Sequence, residues 1–462
     1  MGASDVLKRT TDRRTKGYER VELDDPDSPA HSSVAIASVA VVATDGATVA
    51  EDLAELASLS RNHSHGDLVS VHSSAVLSSS GGGQRGIHIL CCVHFVQYVA
   101  LNMTVLVYPK LVNFLVNGNM AVTSESSFAA GRLIFANSFS QFLSVKFWSV
   151  SSDSHGRKPY IVMGMVALSC FALIFACGKS VGALAVGFTI EGTFSPGWTM
   201  GQAYIVDASE PHRRAENYAL YYGIAQGAAI GVGAILGLLL LSLGGLRWPF
   251  LAAAALLLIN IPLTACLLPE SLQAGGRPSW SWSRATSKGH PWASISMSWR
   301  RSAHLAELLV AFVLAQTSYL FLPNTWINFT DAAFGWSTSE AGASIILFGL
   351  GIAVAPRLLI GWLGEVQAMM KGVQLMGLSF ALLALSGLGG VRSSWIVWPA
   401  VLIASCGMMF DSAMRTYISR NISESEQGSL QGTLAALGLL SNCAAGFISN
   451  HALVHHQALA SL

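Results

Sequence analysis

The chain has 462 residues, of which 52% are hydrophobic and only 11% are charged. Soluble proteins carry about 25% charged residues, so the polar surface is too small for a water-soluble enzyme of this length. The formal net charge is +1, and the basic residues are dispersed, which excludes a nucleic-acid-binding protein with a clustered positive surface. The seven cysteines lie in apolar stretches without a CxxC pair, so we expect neither a disulfide framework nor a metal site.

Two polar segments interrupt the apolar sequence. Residues 1–85 have a basic start, an acidic patch and then many Ser, Ala and His residues, which is typical of a disordered tail. Residues 271–301 form a central loop that contains four tryptophans, Trp280, Trp282, Trp292 and Trp299. Their rings are expected at the level of the lipid headgroups, with a flexible linker as the alternative interpretation.

Eleven apolar segments outside these breaks are long enough to cross a bilayer, which takes about 20 helical residues. The predicted spans are 87–112, 127–150, 159–178, 181–207, 215–243, 247–268, 302–324, 338–363, 367–388, 394–415 and 429–450. They form a six-helix half within 86–270 and a second half within 302–462. A symmetric second half would need a twelfth span, and the residues after Asn450 are too few to cross. We therefore expect this half to be truncated after span 11.

A local repeat supports duplication. Thr123–Glu125 precedes span 2, and the same three residue types recur at Thr338–Glu340 before span 8. Parallel repeats around a site near the bilayer midplane are typical of transporters.

The loop charges predict the orientation. Loops on the side of the N-terminal tail contain eleven basic residues, including Arg157, Lys158 and Lys288, against four on the other side. Basic loops face the cytoplasm, so we expect a cytoplasmic N-terminus and central loop. Asn328 is expected on the other side, as a potential glycan acceptor.

The loop Ser149–Pro159 between spans 2 and 3 resembles the signature loop of the major facilitator superfamily. Four residues match its pattern: Asp153, Gly156, Arg157 and Lys158. Ser149 and Ser154 replace a Gly and a base of that pattern. The resemblance extends over residues 87 to about 450, and three further stretches resemble the tetracycline-efflux-like and hippocampus-abundant-transcript-like branches: Ala203–Asp207 with Arg214, Leu267–Ser271 and Glu426–Gly432.

The resemblance implies an all-α, twelve-helix carrier that works by alternating access. Asp153 would cap the start of span 11 near Gly428, and Arg157 would pair with Asp207. The implied gating residues are Asp153, Gly156, Arg157, Lys158, Asp207 and Arg214. For Asp207 and Arg214, an ordinary interfacial ion pair is the alternative interpretation.

Span 5 contains Gly227, Gly233 and Gly237, which resemble the antiporter motif of exporters, although Ala234 replaces the motif's proline. Small residues at this spacing also let helices pack closely in lipid, so helix packing explains them equally well. The arginine that the family carries in span 4 is Phe188 here.

Polar side chains within spans are functional candidates. Glu191 lies about ten residues into span 4 and one turn from Phe188, where it could bind substrate or a proton, or form a structural hydrogen bond. Gln97 and Gln316 lie in the first helix of each half and could bind substrate or bridge helices. Lys146 and Arg357 are expected to snorkel to the interface, and Asp411 to lie at a helix end.

Together these patterns predict a multi-pass secondary transporter of a small organic solute, with proton-coupled export as the direction that the resemblance favours. The membrane itself is not specified. We expect no enzyme activity, cofactor or metal, and lipid as a partner besides the solute and protons. A transport-inactive receptor or scaffold with the same fold is the alternative, favoured by Phe188, Ala234 and the missing span.

Overall fold

The computed structural model describes residues 79–210, 213–272, 277–283, 286, 290–389, 394–420 and 427–460. The helices of the first half are α1 (Ser79–Val105), α2 (Tyr108–Asn117), α3 (Ser124–His155), α4 (Lys158–Cys177), α5 (Val181–Phe194), α6 (Gly197–Ala208), α7 (Arg214–Tyr221), a π-helical segment (Tyr222–Ala228), α8 (Ala229–Gly244) and α9 (Trp248–Leu267). Those that follow are α10 (Pro291–Arg301), α11 (Ala303–Phe334), α12 (Thr338–Leu363), α13 (Glu365–Gly389), α14 (Val397–Gly407), α15 (Met409–Arg420) and α16 (Gln427–Ala460).

The all-helical fold expected from the sequence is confirmed for the described part of the chain. Nine helical segments there are long and apolar enough to cross a membrane. Predicted spans 2 and 4, which correspond to α3 and to the broken pair α5–α6, are not among these nine. The total of eleven spans therefore stays a prediction. Helix α1 begins at Ser79, within the last residues of the predicted tail. The rest of the tail, Lys288 and Glu426 lie outside the described residues, and the domain boundaries stay predictions.

Several predicted spans are interrupted within the bundle. Span 1 breaks before α2, whose first turn contains Pro109, and span 4 breaks at Ser195–Pro196. Proline has no N–H and clashes with the preceding turn, so it favours such breaks. Span 10 divides between α14 and α15, and span 5 contains the π-helical segment.

We call the end of the bundle that carries residues 153–158, 207–210 and 270–272 the loop face, and the end that carries 118–123 and 335–337 the opposite face. Near the opposite face, one apolar cluster contains residues of both halves, such as Leu111, Phe250 and Trp336. A second cluster lies wholly within 87–268 and a third within 305–437. This apolar cluster therefore forms a seal between the halves at the opposite face, and the halves also contact each other along α3 and α16.

The repeated segment marks two helix starts. Thr123 caps α3 through a reciprocal hydrogen-bond pair with Ser126, and Ser337 caps α12 through the same arrangement with Glu340. Such capping boxes satisfy N–H groups that the first turn leaves unpaired. The second cap is Ser337 rather than Thr338, so the repeat is one residue out of register with the caps.

The described part of the central loop packs against the bundle. The ring centres of Trp280 and His155 are 4.9 Å apart, and those of Trp292 and Phe142 are 5.1 Å apart. Helix α10 contacts α3, α11 and α16. These contacts contradict a flexible linker over residues 277–283 and 290–301, where contacts between aromatic rings favour a defined position.

Candidate functional site

At the loop face, Gly156 ends α3 with φ +99°, a conformation that side-chain-bearing residues rarely adopt. A Cβ atom there would also lie 2.3 Å from Oε2 of Glu270. Both the turn and the neighbouring carboxylate therefore require glycine at this position.

Arg157 lies at the centre of a charged network at the loop face. Its Nε donates to Oδ2 of Asp207 at 2.9 Å, and its Nη1 lies 2.6 Å from Oδ1 of Asp153. Nη1 also donates to Ser152 Oγ at 2.6 Å. The guanidinium is buried, whereas the Asp153 side chain is 49% exposed, so Asp207 is the better shielded partner of Arg157.

Glu270 is a member of this network that the sequence analysis did not single out. Its Oε1 accepts the backbone N–H of Arg157 at 2.8 Å, and its Oε2 accepts that of Lys158 at 3.2 Å. These N–H groups belong to the start of α4, where a negative charge is favoured by the helix dipole. Pro269 and Glu270 follow the end of α9 at Leu267, and this acidic residue directly after a span was the available signal.

The remaining predicted gating residues lie nearby. Lys158 begins α4 and Arg214 begins α7. The capping of span 11 by Asp153 near Gly428 stays a prediction, because residues 421–426 just before α16 lie outside the described residues.

A second candidate site is a cavity of about 200 Å³ within the first half. It brings together three predicted residues, Gln97, Phe188 and Glu191, with Tyr98 and Trp198. Gln316 is not among the residues that line it. The break between α5 and α6 lies at this cavity, since Ser195 also contributes to its wall.

Polar side chains of α3 hold the end of α5 in place. Asn137 Nδ2 donates to the Phe188 carbonyl at 3.0 Å and also to the Glu191 carboxylate. Further along α3, Gln141 donates to the Ser195 carbonyl at 3.2 Å, and Ser144 and Trp148 bond to the carbonyls of Gly192 and Thr193. The last carbonyls of a helix have no partner within the helix, so these donors compensate for the break.

Gln97 is buried, with 4% of its surface exposed, and its Oε1 has no hydrogen-bond partner among the described residues. Buried polar atoms are normally paired. An unpaired acceptor that lines a cavity is therefore a candidate ligand contact.

A third polar cluster lies in the second half, around Asp411, which lies in the first turn of α15 as expected of a residue at a helix end. Asp411 is buried, and Arg415 Nε donates to its two carboxylate oxygens at 3.0 and 3.1 Å. Gln316 also donates to Asp411, and the Arg415 guanidinium lies 5.1 Å from the ring centre of Phe312. The tertiary fold buries this residue because α11 packs against α15. The four-residue spacing of opposite charges was a local signal for the pair.

Lys146 is also buried rather than extended to the interface, because α16 covers it: a Cβ atom on Gly432 would lie 2.7 Å from Nζ. The side chain of Arg357 lies outside the described part of the chain.

Polar contacts join the two halves near the opposite face. Lys110 of α2 pairs with Asp331 of α11, and Asn113 Nδ2 donates to Asn328 Oδ1 at 3.3 Å. Asn328 is 2% exposed within α11. The expectation that it could accept a glycan is therefore wrong, because the helix continues past it and buries its amide.

The span 5 glycines lie at close helix contacts. A Cβ atom on Gly227 would approach Ala353 of α12 to 2.7 Å, and one on Gly237 would approach the Met103 carbonyl to 2.6 Å. A Cβ atom on Gly233 would likewise approach Asn102 Cβ of α1 to 2.6 Å. This packing leaves no room for larger side chains. Whether the glycines also have an antiport role stays a prediction.

Comparison with known proteins identifies the family. The model of the Major Facilitator Superfamily matches residues 90–446. The chain belongs to this superfamily of membrane transporters.

This major facilitator is 27% identical to the tetracycline resistance protein, class C, of Escherichia coli over 351 residues, which cover 74% of this chain and 83% of that protein. It is 26% identical to the human hippocampus abundant transcript-like protein 1 over 65% of this chain and 59% of that protein. In the crystal structure of the human organic anion transporter MFSD10 (TETRAN), the matching region covers 80% of this chain and 94% of that chain, with a TM-score of 0.65 and 22% identity. The last likeness shows the fold, and the predicted membership of the family and multi-pass membrane architecture are confirmed.

Among the described residues of this major facilitator, no group of three or more His, Cys, Asp or Glu side chains is placed to hold a metal ion. The chemistry that the three polar clusters offer is charge pairing, hydrogen bonding and contact with aromatic rings. Such groups bind and release solutes, and they can stabilise one arrangement of helices against another.

Proposed function

We propose that the protein is a secondary active transporter that exports a small organic solute by alternating access, in exchange for protons. The observation that carries this proposal is the cavity at the α5–α6 break, where Glu191 faces a space lined by aromatic and amide side chains. Carriers bind solutes and coupling ions beside interrupted helices near the bilayer midplane. The resistance proteins among the relatives support a small organic solute as the cargo.

The position of the seal supports the alternating part of the proposal. The two halves share an apolar cluster and the Lys110–Asp331 pair at the opposite face, whereas the clusters nearer the loop face belong to one half each. A cytoplasmic N-terminus would make this state closed to the outside. Opening to the outside would require the Lys110–Asp331 pair to separate while contacts at the loop face form.

In this proposal the loop-face network sets the balance between the two states. Arg157 links the end of α3 to Asp207 at the end of α6, and Glu270 ties the start of α4 to the end of α9. A network that joins four helix ends favours the arrangement in which those ends have their present spacing. The network lies outside the cavity, so in this proposal it affects the interconversion of the two states rather than the contacts with the solute.

The decisive experiment compares Glu191→Gln with the parent protein in proteoliposomes. The substitution keeps the size of the side chain and removes its capacity to carry a charge. We expect the variant to exchange solute across the membrane but to lose accumulation driven by a pH gradient. Glu307→Gln is the matched control, because that side chain is 79% exposed on α11.

Two results would contradict the proposal. Accumulation equal to that of the parent in the Glu191→Gln variant would remove Glu191 from proton coupling. A parent protein that neither accumulates nor exchanges any solute of a broad panel, despite correct folding, would favour the receptor or scaffold interpretation.

A further inference from the structure

The cavity at the α5–α6 break has the electrostatic character of a site for a positive ligand. Glu191 supplies a carboxylate, and no Lys, Arg or His is among the residues that line the cavity. The cavity lies at the break between the carboxyl end of α5 at Phe194 and the amino end of α6 at Gly197, whose dipole ends have opposite signs. The formal charge of the lining side chains therefore decides the preferred sign of a ligand, and it favours a positive one.

A second, independent feature is the amide oxygen of Gln97, an acceptor without a partner in the described part of the chain, on another helix that lines the cavity. Gln97 Oε1 has no donor among the described residues although Gln97 is 96% buried, as its 4% exposed surface shows. Gln97 is on α1 and Glu191 is on α5, and both line the same space. Because Oε1 has no hydrogen bond to lose, a ligand with a positive nitrogen beside Gln97 would give this acceptor a partner.

The aromatic walls complete the pattern. Trp198 packs edge-on against Tyr98, with ring centres 5.2 Å apart, and Phe188 lies 5.1 Å from Phe171. All four rings line the cavity. The faces of aromatic rings attract cations electrostatically, and they also stack with a flat ring on a ligand.

We propose that this cavity binds a small organic cation that carries an aromatic ring, with its positive nitrogen between Glu191 and Gln97 and its ring against Phe188 and Trp198. The inference deepens the proposed function and rests on it where the ligand is taken as the transported solute. The volume of about 200 Å³ limits the ligand to one or two rings.

The test measures binding to the purified, full-length protein in detergent, without any gradient. The probe is radiolabelled phenyltrimethylammonium. The competitors are the unlabelled cation and its neutral isostere tert-butylbenzene, in which a carbon atom replaces the positive nitrogen. We expect the neutral isostere to compete at least tenfold more weakly than the cation. Sodium chloride at matched ionic strength is a third competitor, and we expect no more displacement by it than by lithium chloride.

Variants assign the effect to the cavity. Glu191→Gln should weaken binding of the probe at least tenfold, Gln97→Met should weaken it several-fold, and Glu191→Asp should retain a preference for the cation over its isostere. Glu307→Gln, on an exposed surface, should bind like the parent. If Glu191→Gln does not fold, as judged by gel filtration, the competition by the isostere in the parent decides alone.

Several results would overturn the inference: no binding of the probe by the parent, equal competition by the neutral isostere, specific displacement by sodium, or unchanged affinity in a folded Glu191→Gln variant. Because the assay needs no transport, failure of the proposed transport function would leave a positive binding result intact. Conversely, transport of uncharged solutes only would refute this inference and leave the proposed function standing.

Discussion

The buried ion pair between Asp411 and Arg415 gives the sharpest prediction about stability. The change is Asp411→Asn, which preserves the size of the side chain and one acceptor oxygen but removes the counter-charge of Arg415. The two side chains are 11% and 15% exposed, and the guanidinium contacts both carboxylate oxygens. Arg415 would remain charged in a site that solvent hardly reaches.

The expected cost follows from this burial. Removing one partner of a buried ion pair costs about 3–5 kcal/mol, because the remaining charge is left uncompensated. The ring of Phe312, 5.1 Å from the guanidinium, attracts the cation in the parent and in the variant alike, so it does not change this difference. A loss of about 3–5 kcal/mol in the free energy of unfolding is therefore expected.

The assay is thermal unfolding of the purified protein in detergent, followed by tryptophan fluorescence. Asp411→Asn should lower the unfolding midpoint by several degrees. The matched control is Asp153→Asn, whose side chain is 49% exposed in its pair with Arg157, so the change should cost less than about 1 kcal/mol. The double variant Asp411→Asn/Arg415→Gln should regain more than half of the loss, because no unpaired charge is left behind.

Equal midpoints for the Asp411→Asn and Asp153→Asn variants would refute this reasoning. It would equally be refuted if the double variant were less stable than Asp411→Asn alone, since the penalty would then come from packing rather than from the uncompensated charge.

Other predictions address the loop face and the topology. Asp207→Asn should lower turnover more than solute affinity, and it should lower turnover more strongly than Asp153→Asn, because Asp207 is the shielded partner of Arg157. Transport kinetics at equal protein content measure turnover and affinity, and equal turnover in the parent and both variants would exclude the gating role. Gly156→Ala should destabilise the protein through its φ of +99° and the neighbouring Glu270, whereas Gly361→Ala, with open space around it, should not lower the unfolding midpoint. In a background without the seven native cysteines, Ser283→Cys and Asn119→Cys should react with an impermeant thiol reagent from opposite sides of the membrane, and labelling from the same side would contradict the predicted orientation.

The class of protein and the positions of its helices could be predicted from the sequence. Hydropathy decides whether a segment of about 20 residues is stable in lipid, and this property is local. The turn at Gly156 was also accessible, because a short connection between two helices needs a residue with positive φ. Phe188 and Glu191 could be placed on one face of span 4, because they are one helical turn apart.

The partners across the bundle could be decided only by the tertiary structure. Glu270 is 113 residues from Arg157, and Gln316 is 95 residues from Asp411, so no local pattern relates them. Gln97 and Gln316 occupy similar positions in the two predicted halves, yet one lines the cavity and the other bonds to Asp411. Sequence position alone could not separate these two environments.

The same reason explains the burial of Asp411 at the start of its helix and the correction at Asn328. Each was judged by its distance from the predicted end of a span, but burial depends on which helices pack around a residue. The sequence by itself determined that this chain is a multi-helix membrane protein with a charged turn between spans 2 and 3, since lipid solvation and turn geometry act on neighbouring residues. Only the tertiary structure decided that Glu270 joins Arg157, which amide remains without a partner and where the cavity lies, because those properties depend on contacts between segments far apart in the chain.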